Sequence, residues 1–506
     1  MMKTVREDDD PRGEGLRDDG PRGDGPRGDL AKSEEAALSV LDALRRIVDE
    51  DRVLTDSASL DRYSHDDAEW AEYELPIAVV LATTELEVSR VVRLAGDLGV
   101  RVVPRGAGTG LSGGANSIAG CVILSLELMN AVVSINADER YVVTQPGLVN
   151  DDLRAAVAEH GLWYPPDPAS SGISTIGGNV ATNAGGICCV KYGVTRDYVL
   201  GVNVVLADGG IVRLGRKTAK GVTGYDLTAL IVGSEGTLGI VTEVTLKLLP
   251  LAGREERAVI GYFSSLERAG VAVAEISRAG IVPAALELID RTCLQAVNEW
   301  QGFGIRQDAD ALLLVKIDQP GEVGDAIADS VARIVSAAGG YDVERAVDKD
   351  EVDRLFLARR LAYPALERLG PVLTEDICVP RSAVPEMLAR IQAVAKESDV
   401  TIANIAHAGD GNLHPLIIAP EGDAEARERA KRAFDRIVAD CLDLGGTVTG
   451  EHGVGLLKLD GARIELGERV IEMNRAIKNA LDPRGVLNPG KAIPSPRLDG
   501  SKSGVR

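Results

Sequence analysis

Up to Pro250 the chain alternates short apolar runs of strand length with amphipathic helical stretches. Beyond Pro250 longer helical patterns take over. A helix is expected from Glu34 to about Asp49, with Ser33 as its N-cap. Ile77–Ala82 reads as a strand, and Thr84 with Glu87 makes a capping box for a helix reaching about Leu98. Val100–Val103, Cys121–Leu126 and Tyr141–Thr144 are further strands, and Asn150 is expected to cap a helix that stops at Gly161. Val202–Ala207 and Ile211–Leu214 flank Asp208-Gly209-Gly210 as a hairpin, and the alternation in Gly239–Leu248 predicts a half-buried strand. From Ala258 to Ser336 the order is strand, helix, strand, helix, strand (Ala311–Ile317), helix. Helical patterns follow at about 350–368, 382–398 and 423–444.

This order predicts an α+β layer arrangement. The expected organisation is a low-complexity tail at 1–32, one domain at 33–250, a second at 251–480, a segment at 481–494 that returns to the first domain, and a tail at 495–506. The first tail carries Asp8-Asp9-Asp10 and Pro-Arg-Gly copies at Pro11, Pro21 and Pro26, a composition expected to be disordered. It lacks the apolar core of a signal peptide, and no apolar run is long enough to span a membrane. A net charge of −21 argues against a nucleic-acid partner, which needs a basic footprint. The six cysteines show no Cys-x-x-Cys spacing, so they read as buried thiols in a reducing compartment, and the cytoplasm is expected.

Of five histidines, two flank a turn in Asn404-Ile405-Ala406-His407-Ala408-Gly409-Asp410-Gly411-Asn412-Leu413-His414. If Asp410-Gly411 is a two-residue hairpin turn, 409 pairs with 412, 408 with 413 and 407 with 414. His407 and His414 then face each other with Cβ atoms roughly 5 Å apart. Glu451, in Thr449-Gly450-Glu451-His452-Gly453-Val454-Gly455, can add a third ligand, which leaves His452 as a base. Two His, one carboxylate and an open position describe a catalytic metal site. On a regular strand Glu451 and His452 would point apart, so Gly450, Gly453 and Gly455 are expected to bend the backbone.

Upstream lies Val103-Pro104-Arg105-Gly106-Ala107-Gly108-Thr109-Gly110-Leu111-Ser112-Gly113-Gly114, a loop able to aim backbone N–H groups at a pyrophosphate. Gly108, Gly110 and Gly113 spell G-x-G-x-x-G, but a strand rather than a helix follows, which disfavours a Rossmann site. Three more segments share its chemistry. One contains Pro168 and continues through Gly177, Gly178, Asn179, Thr182, Asn183, Gly185 and Gly186. Another contains Glu235, Gly239, Ile240 and Val241, and the last contains Asn488. Glycine at such density costs chain entropy and suits backbone that must approach a flat ligand closely.

Together these segments resemble the FAD-binding domain of the vanillyl-alcohol oxidase / p-cresol methylhydroxylase superfamily. Within it, residues 40 to 494 are similar to the D-2-hydroxy-acid dehydrogenase branch, most of all the FAD subunit of glycolate oxidase and D-lactate dehydrogenase. The resemblance implies a two-lobed FAD domain of the PCMH type under a ferredoxin-like α+β cap. It implies metal ligands at His407, His414 and Glu451, a general base at His452, and a substrate-carboxylate arginine at Arg359 in Leu357-Ala358-Arg359-Arg360. The pyrophosphate loop carries no histidine, so FAD is expected to bind non-covalently. The expected reaction is oxidation of a D-2-hydroxy acid to the 2-oxo acid, by hydride transfer to flavin N5, assisted by Zn2+, with Mn2+ or Fe2+ as other candidates. Thr374 stands where 2-hydroxyglutarate enzymes present a lysine. Glu375 and Asp376 beside it are expected to repel a second carboxylate, which favours a monocarboxylate such as glycolate or D-lactate. The electron acceptor is expected to be an iron–sulfur subunit, an electron-transfer flavoprotein or a quinone. Peripheral membrane association and a homodimer are compatible with the sequence. The competing readings are a flavin-free metallohydrolase, a sugar or aldonolactone oxidase, and a non-catalytic FAD-binding scaffold.

Overall fold

The computed structural model describes residues 37–496, apart from 219, 252, 254, 303, 304, 307, 347 and 348. The expected Ser33 cap, the Glu34 helix start, the tail at 1–32 and most of the tail at 495–506 lie outside the described residues; residues 37–44 are helical.

The first lobe is a four-stranded sheet in the spatial order Val53–Leu54, Ala78–Leu81, Cys121–Ser125, Arg101–Arg105. Its last three strands are parallel. The helix Glu85–Leu98 links two of them and ends at Gly99, in the left-handed region at φ 71°. Thr84 accepts from the Glu87 N–H at its start, but the Glu87 carboxylate takes the Thr83 N–H (2.8 Å) rather than that of Thr84, and also grips Arg52 at 2.8 Å. The glycine-rich loop runs straight from Arg105 to the strand at Cys121 with no helix between them. A nicotinamide-type loop needs that helix, so its absence separates this lobe from a Rossmann unit.

The second lobe is a five-stranded antiparallel sheet, ordered Val132–Asn136, Tyr141–Thr144, Ile240–Lys247, Val199–Val205, Ile211–Gly215. The hairpin around Asp208 forms as expected, with Val205 opposite Ile211. Two expectations are corrected. Ile240–Lys247 is central and buried on both faces except at Glu243 and Lys247, because strands cover both of its edges and helices its faces. Asn150 is the first helical residue, not the cap; its amide donates to Pro166 O at 3.3 Å, and the helix ends at Ala158.

Besides a two-stranded pairing of Leu162–Trp163 with Leu249–Pro250, the remaining sheet has eight antiparallel strands. Its first half follows Arg257–Phe263, helix, Ala285–Asp290, helix, Ala311–Ile317, helix, Tyr341–Ala346, and these strands lie in the order fourth, first, third, second. That is a ferredoxin-like split βαβ with a helix inserted in its hairpin. The hairpin Thr401–His407 and Asn412–Ile418 extends it past Ala285–Asp290, and Val372–Thr374 closes the edge. Side chains alternate between two cores. Leu286, Leu288, Leu313 and Val315 meet the helices Leu266–Arg278, Gly321–Ala337, Val384–Ser398 and Ala424–Asp443. Ala285, Ile289, Ala403, Ile405, Leu416 and Ile418 face the other way, towards Arg291–Gln301 and the first lobes. A sheet covered on both faces reads as near-continuous apolar runs, as in 311–315 of the strand Ala311–Ile317. The pattern at 350–368 is two helices, Lys349–Arg360 and Ala362–Glu367, broken at Leu361. The helix Leu459–Leu481, kinked at Gly467, was not foreseen.

The segment after Asp482 lies on the first sheet: Val102 N–H donates to Val486 O and Asn488 N–H to Val102 O, both at 2.8 Å. The Asp482 carboxylate holds that turn by accepting from the N–H groups of Val486 and Leu487.

Candidate active site between the glycine cradle and the cap sheet

A cavity of about 500 Å³ lies where the three sheets meet. Its first wall contains Pro104, Arg105, Gly106, Gly108, Thr109, Gly110, Gly114, Pro168, Gly177, Gly178, Asn179, Thr182, Gly185, Glu235, Gly239, Ile240 and Val241, all named from the sequence. The chain's own side chains press so closely on its glycines that a Cβ would collide with them. A Cβ at Gly106 would stand 2.4 Å from Thr175 Oγ1, and one at Gly108 (φ 81°) 2.0 Å from Arg105 Nη2. Gly113, Asn183, Gly186 and Asn488, also named, do not line the cavity. Asn183 ends the helix Ile176–Thr182 in the left-handed region. A Cβ at Gly113 would press on Ala71, and one at Gly186 on Asp167 O, because each lies against neighbouring chain. Asn488 donates to Gly114 O (3.0 Å) and Glu235 O (2.7 Å), tying two cradle loops together from behind.

The facing wall is the cap sheet. Here the expected hairpin register is corrected: His407 pairs with Asn412 and His414 with Ile405. The loop is Ala408–Gly411 rather than a two-residue turn, so the register slips by two. A slip of two keeps side-chain parity. His407 and His414 therefore stay on one face as diagonal neighbours, with ring centroids 5.2 Å apart. Both share the face of Ile405 and Leu416, the one turned to the cavity.

Glu451 and His452 both point inward. Their consecutive N–H groups donate to one oxygen, Asp376 Oδ2, at 3.0 and 2.8 Å, which curls the chain as no strand would. Gly453 and Gly455 follow with φ of 84° and 49°, while Gly450 lies against Asn412. The Glu235 carboxylate, from the cradle side, accepts the N–H groups of Val454 and Gly455, both at 2.8 Å. The outcome is a convergence: Glu451 Oε1 stands 3.2 Å from His407 Nε2, 3.4 Å from His414 Nε2 and 3.9 Å from His452 Nε2. His452 stacks on His414, with centroids 5.0 Å apart and planes 16° apart.

Two buried carboxylates that the sequence reading did not assign to the site support these groups. Glu287 accepts from His407 Nδ1 at 2.8 Å and lies 2.8 Å from Arg359 Nε. Asp376 lies 3.6 Å from His414 Nδ1 and 3.9 Å from His452 Nδ1. Potential donor atoms of Asp376, His414, Glu451 and His452 lie within 4.8 Å of one another, an alternative cation-binding set. Asp376 is already committed to Asn412, Thr449 and the N–H groups of Glu451 and His452. The imidazoles of His414 and His452 are not so committed, since the Nδ1 atom of each has no hydrogen-bond partner, and His407 turns its Nε2 to Glu451 at 3.2 Å.

Electrostatics follow the same pairing. Burial opposes a charge on His407, but Glu287 and Glu451 outweigh it and hold its pKa well above the usual imidazole value. Burial raises Glu451, yet His407 and His414 pull it well below the carboxylate range. Asp376 is also lowered, against its burial, by His452, Lys458 and His414. Burial pushes His452 down to about 4 against the pull of Asp376, leaving it a neutral base near pH 7.

Arg359 is buried in the last turn of its helix and lines the cavity; Arg360 is exposed and lines it too, so it is not a purely solvated residue. Thr374 lines the same region and donates to Tyr363 Oη at 3.4 Å. Glu375 and Asp376 are corrected as a repulsive pair: both are fully buried, and neither lines the cavity. Glu375 turns to Lys458 (3.9 Å), and burial raises it to about 8 despite that lysine. The carboxylates at this end of the cavity are Asp67 and Glu367.

The glycine cradle, the ferredoxin-like cap and their shared cavity define a flavin-linked oxidoreductase architecture, and comparisons with known proteins agree. Residues 76–215 match the family model "FAD binding domain", and residues 254–492 match "FAD linked oxidases, C-terminal domain". The chain is 41% identical to the glycolate oxidase subunit GlcD of Bacillus subtilis over 82% of its own length and 89% of that protein. It is 35% identical to a D-lactate dehydrogenase of Anaerostipes hadrus, over 87% and 94%. Among solved structures, p-cresol methylhydroxylase with substrate bound superposes with a TM-score of 0.76 at 17% identity, over 91% of this chain and 98% of that one, a likeness of fold. The chain belongs to the FAD-linked oxidases, and FAD is its cofactor. No helix among the described residues is long and apolar enough to cross a membrane.

Proposed function

We propose that this enzyme oxidises a D-2-hydroxy acid of the glycolate or D-lactate type to its 2-oxo acid. It would use non-covalent FAD and one divalent cation, Zn2+ by preference, at His407, His414 and Glu451. The observation that carries the reading is the convergence of three imidazole Nε2 atoms on Glu451 Oε1, in a cavity whose opposite wall is the glycine cradle. The cradle fits a flat cofactor because glycines, at Gly106, Gly108, Gly110, Gly177, Gly178 and Gly185, line it without side chains. Two imidazoles and a carboxylate with a vacant position fit a borderline cation of catalytic type.

When bound, the flavin accepts the hydride and the cation acidifies the substrate hydroxyl. The chain's own residues do the rest. Arg359 pairs with the substrate carboxylate. His452, neutral near pH 7, accepts the hydroxyl proton at Nε2. Asp376 keeps the His452 backbone in place, and Glu235 anchors the residues that follow. Asp67 and Glu367 disfavour a substrate with a second carboxylate, so a monocarboxylate is preferred to 2-hydroxyglutarate. Among the described residues, the histidines lining the cavity are the three of the cation and base assignments, which supports a flavin without a histidyl bond. The name of the GlcD relative, a subunit, supports electron delivery to a protein partner such as an iron–sulfur subunit or electron-transfer flavoprotein, with a quinone as the small-molecule counterpart.

Anaerobic mixing with D-lactate or glycolate should bleach the flavin absorbance, and L-lactate should not. Chelator treatment should abolish bleaching and Zn2+ restore it. Equal bleaching by both isomers, or bleaching untouched by chelators in metal-free protein, would refute the assignment.

A further inference from the structure

No sequence motif marks Glu287. It is fully buried, and the register that pairs Leu288 with Ala406 puts it opposite His407. Its Oε1 accepts from His407 Nδ1 at 2.8 Å, while its Oε2 lies 2.8 Å from Arg359 Nε. A buried carboxylate stabilises a fold no better than a well-packed apolar residue, even when it is paired. Here both of its partners face the cavity, so its position points to the site rather than to packing.

We propose that Glu287 is a positioning residue that acts on the cation site and the carboxylate site together, with opposite sign at each. The inference rests on the assignment of His407 as a cation ligand and Arg359 as the partner of the substrate carboxylate. Towards His407, Glu287 takes the Nδ1 hydrogen, fixes the tautomer and directs the Nε2 lone pair into the cavity. A carboxylate in that position makes the imidazole a better donor and tightens the cation. Towards Arg359, it stands against Nε as an ion-pair partner without a hydrogen bond there, leaves the outer N–H groups of the guanidinium to the cavity, and offsets by its charge the attraction for an incoming anion. Substrate is thus held by aim rather than by net charge, and the 2-oxo product, which keeps the same carboxylate, is not retained.

The test uses the FAD-loaded protein and Glu287→Gln, which keeps the shape and removes the charge. Zn2+ affinity, measured without substrate against a chromophoric chelator, should weaken about 10- to 100-fold. Acetate affinity, read from the flavin spectrum of chelator-stripped protein, should tighten roughly tenfold or more. Glu287→Asp, which keeps the charge with a shorter reach, should weaken Zn2+ and leave acetate unchanged; it carries the test if the Gln variant does not fold, as judged by flavin content and thermal melting. Both affinities falling together in a folded variant, or neither moving, overturns the proposal. Wild-type protein that takes up no Zn2+ or Mn2+ brings down the cation assignment instead, and the acetate arm still decides the link between Glu287 and Arg359.

Discussion

The two walls of the cavity solve the problem of holding a ligand in different ways. Around Gly106, Gly108 and Gly110 the chain removes side chains so that main-chain groups come close, and the charges of that wall, Asp66, Arg105 and Glu235, are tied to the protein's own main chain. Across the cavity, the cap sheet gathers Glu287, Asp376, Glu451 and three imidazoles into a region where each ion depends on its neighbours. Perturbing the first wall should therefore act through shape, and perturbing the second through charge, pH and cation content.

The largest contrast should come from His452→Ala, which removes the proton acceptor and leaves both ligand sets in place. Turnover should fall ~10²–10⁴-fold while FAD content and Zn2+ affinity hold; loss of either ligand would show that this residue belongs to the binding machinery instead. Next, Gly108→Ala should lower the flavin content of the purified protein without affecting cation uptake, because its φ of 81° strains any L side chain and the Arg105 guanidinium, 2.0 Å from the new Cβ, must shift within the cradle. The check is the ratio of visible to ultraviolet absorbance. A smaller effect is expected in the pH profile. The neutral form of His452 is required and its pKa is depressed to about 4, so kcat/KM should hold down to about pH 4 and be lost below it. An acid limb centred near 6.5 would mean an imidazole in ordinary surroundings.

Smallest is Glu375→Gln. The folded-state pKa of Glu375, about 8, lies above its unfolded value, so the native state holds a proton that the unfolded chain has already released. Its contribution to stability is present below about pH 4.5 and is lost as pH rises towards 8. The Gln variant should melt with the wild type near pH 4.5 and above it at pH 8. Equal curves would show that Lys458 carries the charge of Glu375 without cost.

The first wall was the more legible one. Glycine density needs no partner to be recognised, and the lining residues between Pro104 and Val241 could largely be named without knowing the fold, although Gly113, Asn183 and Gly186, named with them, do not reach the cavity. Asn488 was misassigned because the same Asn-Pro-Gly chemistry serves to brace a loop from behind. The second wall was legible only in part. His407, His414, Glu451 and His452 are rare residue types beside glycine turns, and strand parity kept the histidines together even though the register was wrong by two. Glu287 was invisible because it sits in the otherwise apolar strand Ala285–Asp290, and its importance comes from a neighbour 120 positions away. Asp376 was read with Glu375 as a pair repelling a second carboxylate because nothing local reveals that Asn412, Thr449 and two backbone N–H groups will enclose it.

The knot at Glu235 bears on how molecules come and go. This side chain is buried, belongs to a residue at φ 51°, and ends on two main-chain donors of the opposite half of the protein. Swinging the halves apart would strand a carboxylate without partners in a dry interior, a costly state. Substrate and product are therefore expected to exchange without any clamshell movement of the two halves.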